Sequence, residues 1–203
     1  MKHHRLKRVL TKLILTLVAM QSAFADEPLD PAATHKIVSS SQTCWAVTDA
    51  KTHVTTAYRN SQQDKPVRLW SAPGWFRVAD LSADCRYLVT GYDGGSLLPA
   101  NADGELVMLS FYRDGKIMRR IRLKELICDW SQLDRTASHL AWGNYIGTEE
   151  GFFYRVETKD RGAVVFDIRT GNVSNRPSLA CDRAGDLRYR VNRRNSSFGS
   201  IAR

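Results

Sequence analysis

The sequence predicts an all-β protein built from repeated strand units, and three observations carry that expectation. Apolar residues alternate or run in short β-branched and aromatic stretches almost throughout, as in Arg86-Tyr87-Leu88-Val89-Thr90, Leu106-Val107-Met108-Leu109-Ser110-Phe111-Tyr112 and Ala163-Val164-Val165-Phe166-Asp167-Ile168. Glycine-containing turns punctuate these runs, and similar strand-turn-strand segments recur along the chain. The composition fits one globular domain: 203 residues, 25% charged and 43% hydrophobic, which excludes a collagenous or low-complexity chain.

Taken in order, residues 1–25 predict an export signal. Lys2, Arg5, Lys7, Arg8 and Lys12 precede the apolar run Leu13-Ile14-Leu15-Thr16-Leu17-Val18-Ala19-Met20 and the small-residue site Ala23-Phe24-Ala25. The run is about half the roughly 20 residues a membrane span requires, so cleavage rather than anchoring is expected. Neither a lipid-anchor cysteine nor a twin-arginine pair accompanies it. The expected product is a soluble bacterial protein, periplasmic or secreted, with residues 26–38 as a linker, 39–180 as the β domain and 181–203 as an irregular basic tail.

Within the β domain, Arg113-Asp114-Gly115-Lys116 and Arg169-Thr170-Gly171-Asn172 each follow a strand and precede a short apolar segment, the pattern of a tight hairpin. Phe111 to Ile117 aligns with Asp167 to Val173 at an offset of 56 residues, placing Gly115 on Gly171. Upstream, Arg86 to Gly91 aligns with Ser138 to Gly143. Cys44 to Thr48 and Val67 to Trp70 fill the corresponding slots of a first copy. The segment Asp93 to Glu105 reads as a loop inserted in the middle unit, and a turn or two of helix is expected near Leu123 to Trp130. Units of about 40 to 50 residues with four strands each match the blades of a β-propeller. Three blades are fewer than the four to eight that close a ring, so either two copies associate or the sheets curl into a smaller body.

The stretch Val78-Ala79-Asp80-Leu81-Ser82-Ala83-Asp84-Cys85-Arg86-Tyr87-Leu88-Val89-Thr90-Gly91 resembles the S-P-D-G-(K/R)-x-L strand-turn-strand of WD40-like and related bacterial propeller repeats. Val67-Arg68-Leu69-Trp70 and Val165 to Gly171 are similar to the closing strand and turn of such blades. The resemblance spans Ser39 to Val173. Ala83 and Cys85 stand where the repeat has Pro and Gly, and no copy has a full Gly-His to Trp-Asp signature. It implies about three propeller-like blades and a binding scaffold, and it carries over no catalytic residues.

Charge and cysteine usage narrow the function classes. The whole chain is +9, but without residues 1–25 it keeps 25 basic and 21 acidic residues, and the resulting excess equals that of Cys181 to Arg203 alone. A neutral body argues against nucleic acid as the partner. Cys44, Cys85, Cys128 and Cys181 are spaced 41, 43 and 53 residues apart without a C-x-x-C, which favours disulfides over zinc or redox chemistry and leaves three pairings open.

Candidate chemistry is sparse. Ser138-His139 with Asp134 could be drawn as a nucleophilic triad, although His139 is more simply a packed ring. His53 reads as a solvated turn residue and His35 as part of the linker, so a histidine metal site is not expected. Asp93, Asp103 and Glu105 with Asn101 suggest an oxygen-rich calcium loop, but their spacing does not fit the twelve-residue calcium motif. Glu149-Glu150 reads as a solvated turn. No catalytic residue, cofactor or metal is assigned. Along Lys116 to Lys124, strand alternation puts Lys116, Arg120, Arg122 and Lys124 on one face with Met118, either as charge protection of an edge strand or as a contact for an acidic partner. The basic tail could also touch anionic lipid headgroups.

These features lead to an exported, non-catalytic binding or scaffold module of the cell envelope that self-associates or docks on a protein partner. The alternatives are an envelope polysaccharide or peptide hydrolase and a membrane-surface protein held by its tail.

Overall fold

Short antiparallel strands, joined mostly to their sequence neighbours, account for the architecture. The structure, a computed structural model, describes residues 29–61 and 65–175. The expected signal segment and the basic tail, including Cys181, lie outside the described residues. A first sheet runs β1 (His35–Val38), β2 (Cys44–Asp49), β3 (Val54–Arg59), β4 (Val67–Pro73) in spatial order. A second comprises β5 (Ala79–Leu81), β6 (Tyr87–Gly91), β8 (Val107–Arg113) and β9 (Lys116–Arg122), with the short β7 (Leu97–Pro99) inserted between β6 and β8. After a helical turn α1 (Leu123–Leu126) and a 3-10 turn at Trp130–Gln132 come β10 (Asp134–Arg135) and β11 (His139–Ala141), which join β7 in a three-stranded sheet. The last sheet is β12 (Gly143–Glu149), β13 (Phe153–Thr158), β14 (Gly162–Asp167) and β15 (Asn172–Val173). The protein is all-β, and no closed ring forms among the described residues.

Local chemistry explains the strands and their turns. In β2 the residues Cys44, Ala46 and Thr48 are buried while Trp45, Val47 and Asp49 are partly exposed, the period-2 pattern of a half-buried strand. Arg113 pairs with Lys116 across Asp114 (φ 49°) and Gly115 (φ 80°), a two-residue hairpin with both central residues left-handed. Gly115 is required twice over, since a Cβ there would also lie 2.2 Å from the Ser71 carbonyl oxygen of the first sheet.

Two assignments differ from the sequence reading. β1 occupies His35–Val38, within the stretch assigned to the linker, because its backbone pairs with Trp45–Thr48 and continues the first sheet. Ser138 to Gly143 does not supply the counterpart of β6. His139–Ala141 pairs instead with Leu97–Pro99 from the insertion, and Phe153–Thr158 is the second strand of the last sheet. Short apolar runs of the same period look alike, and only the partner strand distinguishes them.

The second sheet is buried on both faces. Leu81, Leu88 and Tyr112 pack on the small inward residues Cys44, Ala46, Ala57 and Ala72 and on Trp70 of the first sheet. On the other side, Tyr87, Val89, Leu109, Phe111 and Ile121 join Tyr154, Val156, Val164 and Phe166 of the last sheet, with Phe111 and Phe166 ring centroids 5.6 Å apart. A disulfide between Cys44 and Cys85 ties the first sheet to the turn entering β6. Cys128 is also disulfide-bonded.

Cys85 has φ 70°, a left-handed backbone that glycine adopts most freely. Around it, Ser82 Oγ donates to Asp84 Oδ1 and accepts from the Tyr87 amide, while the Arg86 amide donates to Asp84 Oδ1. Trp70 Nε1 donates to the Cys85 carbonyl at 2.8 Å. Replacing Cys44 and Cys85 by serine is expected to cost about 4 kcal/mol, because the bridge restrains a long unfolded loop; urea unfolding of the variant checks this. In a Cys44→Ala background, Cys85→Gly should exceed Cys85→Ala in stability by about 1 kcal/mol, since only glycine takes this φ freely.

Candidate functional site

The first strands of the second and last sheets, β5 and β12, run beside each other, and a cleft of about 420 Å³ opens along their seam. Arg77, Asp80, Ser96, Asn144 and Tyr145 line it, with Tyr154 of β13 behind. A β-bulge shapes this seam. Tyr145 pairs with Val156 and Gly147 with Arg155, so Ile146 is left without a cross-strand partner and is 49% exposed. Gly147 has φ 114°, which disfavours any side chain. A Cβ there would stand 3.6 Å from Asp80 Oδ1, so the carboxyl group lies directly against the bulge.

Beyond the bulge, Thr148 and Tyr154 are directly opposed across β12 and β13. Both hydroxyl oxygens are buried without a hydrogen-bond partner. Asp80 reaches toward them from β5. Burial pushes its carboxyl above the usual carboxylate range, with the Thr148 backbone N–H and hydroxyl pulling the other way. The Thr148 hydroxyl faces Asp80 without reaching hydrogen-bond geometry. Burial also drives the Tyr154 phenol up, and the nearby Asp80 charge adds to the effect, so this hydroxyl keeps its proton. No cation pairs with Asp80 among the described residues.

The rest of the rim is already engaged. Tyr145 Oη donates to the Met108 carbonyl and accepts from the Tyr92 amide, both at 2.8 Å, which fixes its ring beside the cleft. Arg77 is ion-paired with Asp93 at 2.9 Å, donates to the Asp30 carbonyl and lies over the Trp75 ring. The seam therefore gathers the Asp80 carboxyl, which takes the Thr148 backbone N–H, with two buried hydroxyls that have no hydrogen-bond partner, and of these three residues Asp80 and Tyr154 line the cleft.

The residues singled out by sequence lie elsewhere. β9 is the edge strand of its sheet, but a bulge at Met118 breaks the alternation. Ile117 pairs with Tyr112 while Arg119 pairs with Phe111, so Lys116, opposite Arg113, falls on the other face from Arg120, opposite Ser110. Arg122 and Lys124 both bind Glu105, and Lys124 lies on α1 rather than on the strand. The four cations are thus not gathered into one basic stripe. Asp93 and Glu105 of the suggested calcium loop are held by Arg77 and by Arg122 with Lys124, and Asp103 accepts from the Glu105 amide. Among the described residues, no three His, Cys, Asp or Glu side chains gather where they could hold a metal.

Ser138 Oγ and His139 Nδ1 are 2.9 Å apart, whereas Asp134 is ion-paired with Lys159 at 2.7 Å. Glu149 pairs with Arg155, and Glu150 occupies a left-handed turn position. Sequence reasoning passed over Asp80, Thr148 and Tyr154. The one local signal was Gly147 inside a strand-like run, which marks a bulge or a close approach. Neither a protein-family model nor a curated protein matches the chain.

Because burial raises the Asp80 pKa, folding stability depends on pH through this carboxyl. The fold favours the neutral carboxyl, so this group's contribution is fullest below the ordinary carboxylate pKa and is lost as pH rises through the folded-state value. Asp80→Asn should therefore raise Tm at neutral pH, and the gain should close at acid pH. Thermal unfolding of both proteins as a function of pH measures it; an equal gain at every pH would contradict the assignment.

Proposed function

We propose that this chain is an exported, non-catalytic binding module in which three four-stranded sheets act as propeller-like blades and associate with a second copy to complete a ring. The observation that carries the reading is the open stack. The second sheet is sandwiched between the first and the last, and among the described residues no further sheet covers the outward faces of those two.

The outward face of the first sheet is aromatic and basic. Trp45 stacks on Tyr58 at 6.0 Å, Lys36 lies over Trp45 at 4.4 Å, Arg68 pairs with Tyr58 across the strands and Val38 is 54% exposed. The outward face of the last sheet carries Phe153 and Val165 together with Arg155, which Glu149 and Glu157 flank. Cations with aromatic surface on one end and acids with apolar surface on the other are complementary. A two-fold axis would bring the first sheet of each copy onto the last sheet of its partner, making two identical junctions and six blades. Burying these faces also removes the aggregation hazard of an unpartnered β stack.

Export is supported by the N-terminal charge and apolar pattern and by the Cys44–Cys85 disulfide, which fits an oxidising, non-cytoplasmic compartment. No helix among the described residues is long and apolar enough to cross a membrane. Sedimentation velocity and native mass spectrometry of the protein from residue 26 onward should show a dimer, and Trp45→Glu should shift it toward monomer while keeping the disulfide and the fold. A wild-type monomer that also captures no protein on crosslinking in cells would overturn the reading.

A further inference from the structure

We propose that the seam between β5 and β12 is a binding site for a primary ammonium group, received jointly by the Asp80 carboxylate and the Thr148 and Tyr154 hydroxyl oxygens. All three groups can accept a hydrogen bond, and an alkylammonium offers three N–H donors, a positive charge and no acceptor. The match is therefore one donor to each oxygen, with the charge placed on the one carboxylate of the cleft that has no cation among the described residues.

Other occupants fit less well. Water brings two donors and no charge, leaving Asp80 uncompensated in a site that disfavours a bare carboxylate. A guanidinium is a flat fork suited to two parallel bonds on one carboxylate, whereas these oxygens come from three different strands, β5, β12 and β13. Calcium takes six to eight oxygen ligands, more than these side chains supply.

The surroundings suit the stem of such a group. Tyr145 is fixed beside the cleft by its two hydrogen bonds, and the bulge turns Ile146 outward, 49% exposed. An aliphatic chain leading to the ammonium would lie along these apolar surfaces, as lysine stems do on protein surfaces. Gly147 keeps the approach to Asp80 free of a side chain. The bulge thus serves two purposes, exposing an apolar rim and leaving the carboxyl reachable. The same chemistry is presented by a lysine side chain of a protein and by a free alkylamine.

The test titrates the 15N-labelled protein, from residue 26 onward, with n-butylammonium and with Nα-acetyl-lysine N-methylamide, following the amide signals of Gly147 and Thr148. Saturable shifts with these probes are expected. Asp80→Asn should weaken binding by about tenfold or more, and Tyr154→Phe and Thr148→Val by about two- to tenfold each. Asp80→Asn removes a desolvated charge and should fold; its amide spectrum checks this, and Tyr154→Phe provides a second, nearly isosteric variant.

Tetramethylammonium, which has no N–H, should not compete. Tighter binding of the lysine derivative would support a protein lysine as the natural source, and equal binding would support a free amine; both outcomes retain the site. The proposal is overturned if neither probe gives a saturable shift, if Asp80→Asn binds as tightly as the parent, if tetramethylammonium competes equally, or if calcium alone occupies the seam. The oligomeric state does not enter this readout, so the site and the self-association reading stand or fall separately.

Discussion

Burial of the second sheet on both faces is the constraint on which the rest of the structure depends. An antiparallel sheet ordinarily needs one covered face, and its strands then alternate between core and solvent. Here β6 is buried at Tyr87, Leu88, Val89 and Thr90, four consecutive residues, because sheets pack on it from both sides. Neither flanking sheet shares that condition among the described residues. The result is a stack with an interior member and two ends, and the ends are where an interaction surface is to be sought.

The two packing interfaces are made differently. Between the first and second sheets most inward residues of the first sheet are small, Cys44, Ala46, Ala57 and Ala72, with Trp70 the large exception, and the covalent bridge to Cys85 ties the two sheets together. Between the second and last sheets, Tyr87, Phe111, Tyr154 and Phe166 fill a deeper layer. The disulfide is therefore placed at the interface with the smaller apolar content. It also holds Cys85 in a backbone conformation that a non-glycine residue otherwise resists.

The cleft follows from the same stacking. Where β5 and β12 come together at the seam, neither ladder can satisfy every polar side chain. Thr148 and Tyr154 face β5 from the last sheet, and Asp80 faces them from the second. A bulge and a left-handed glycine relieve the crowding but leave a desolvated carboxyl and two unpartnered hydroxyls. Native folds rarely retain such groups without a ligand, a water or a function to account for them.

Strand character, hairpin positions and the disulfide-forming chemistry were legible in the amino-acid sequence, because each depends on neighbours a few residues apart. The β8–β9 turn is an example: Asp114-Gly115 alone dictates a two-residue hairpin. The short helix near Leu123 was visible for the same reason, whereas the segment Asp93 to Glu105, which reads as a loop, holds β7, a strand defined by its pairing with the distant β11. What only the tertiary structure decided is non-local. Ser138 to Gly143 reads like a sheet's second strand until Leu97–Pro99 claims it, and Lys116 to Lys124 reads as one basic face until the bulge at Met118 changes the phase and Glu105 takes two of the cations. Asp80, Thr148 and Tyr154 are unremarkable polar residues in sequence, 68 and 6 positions apart. Their chemistry comes from being desolvated together, and desolvation belongs to the packed sheets rather than to any stretch of chain.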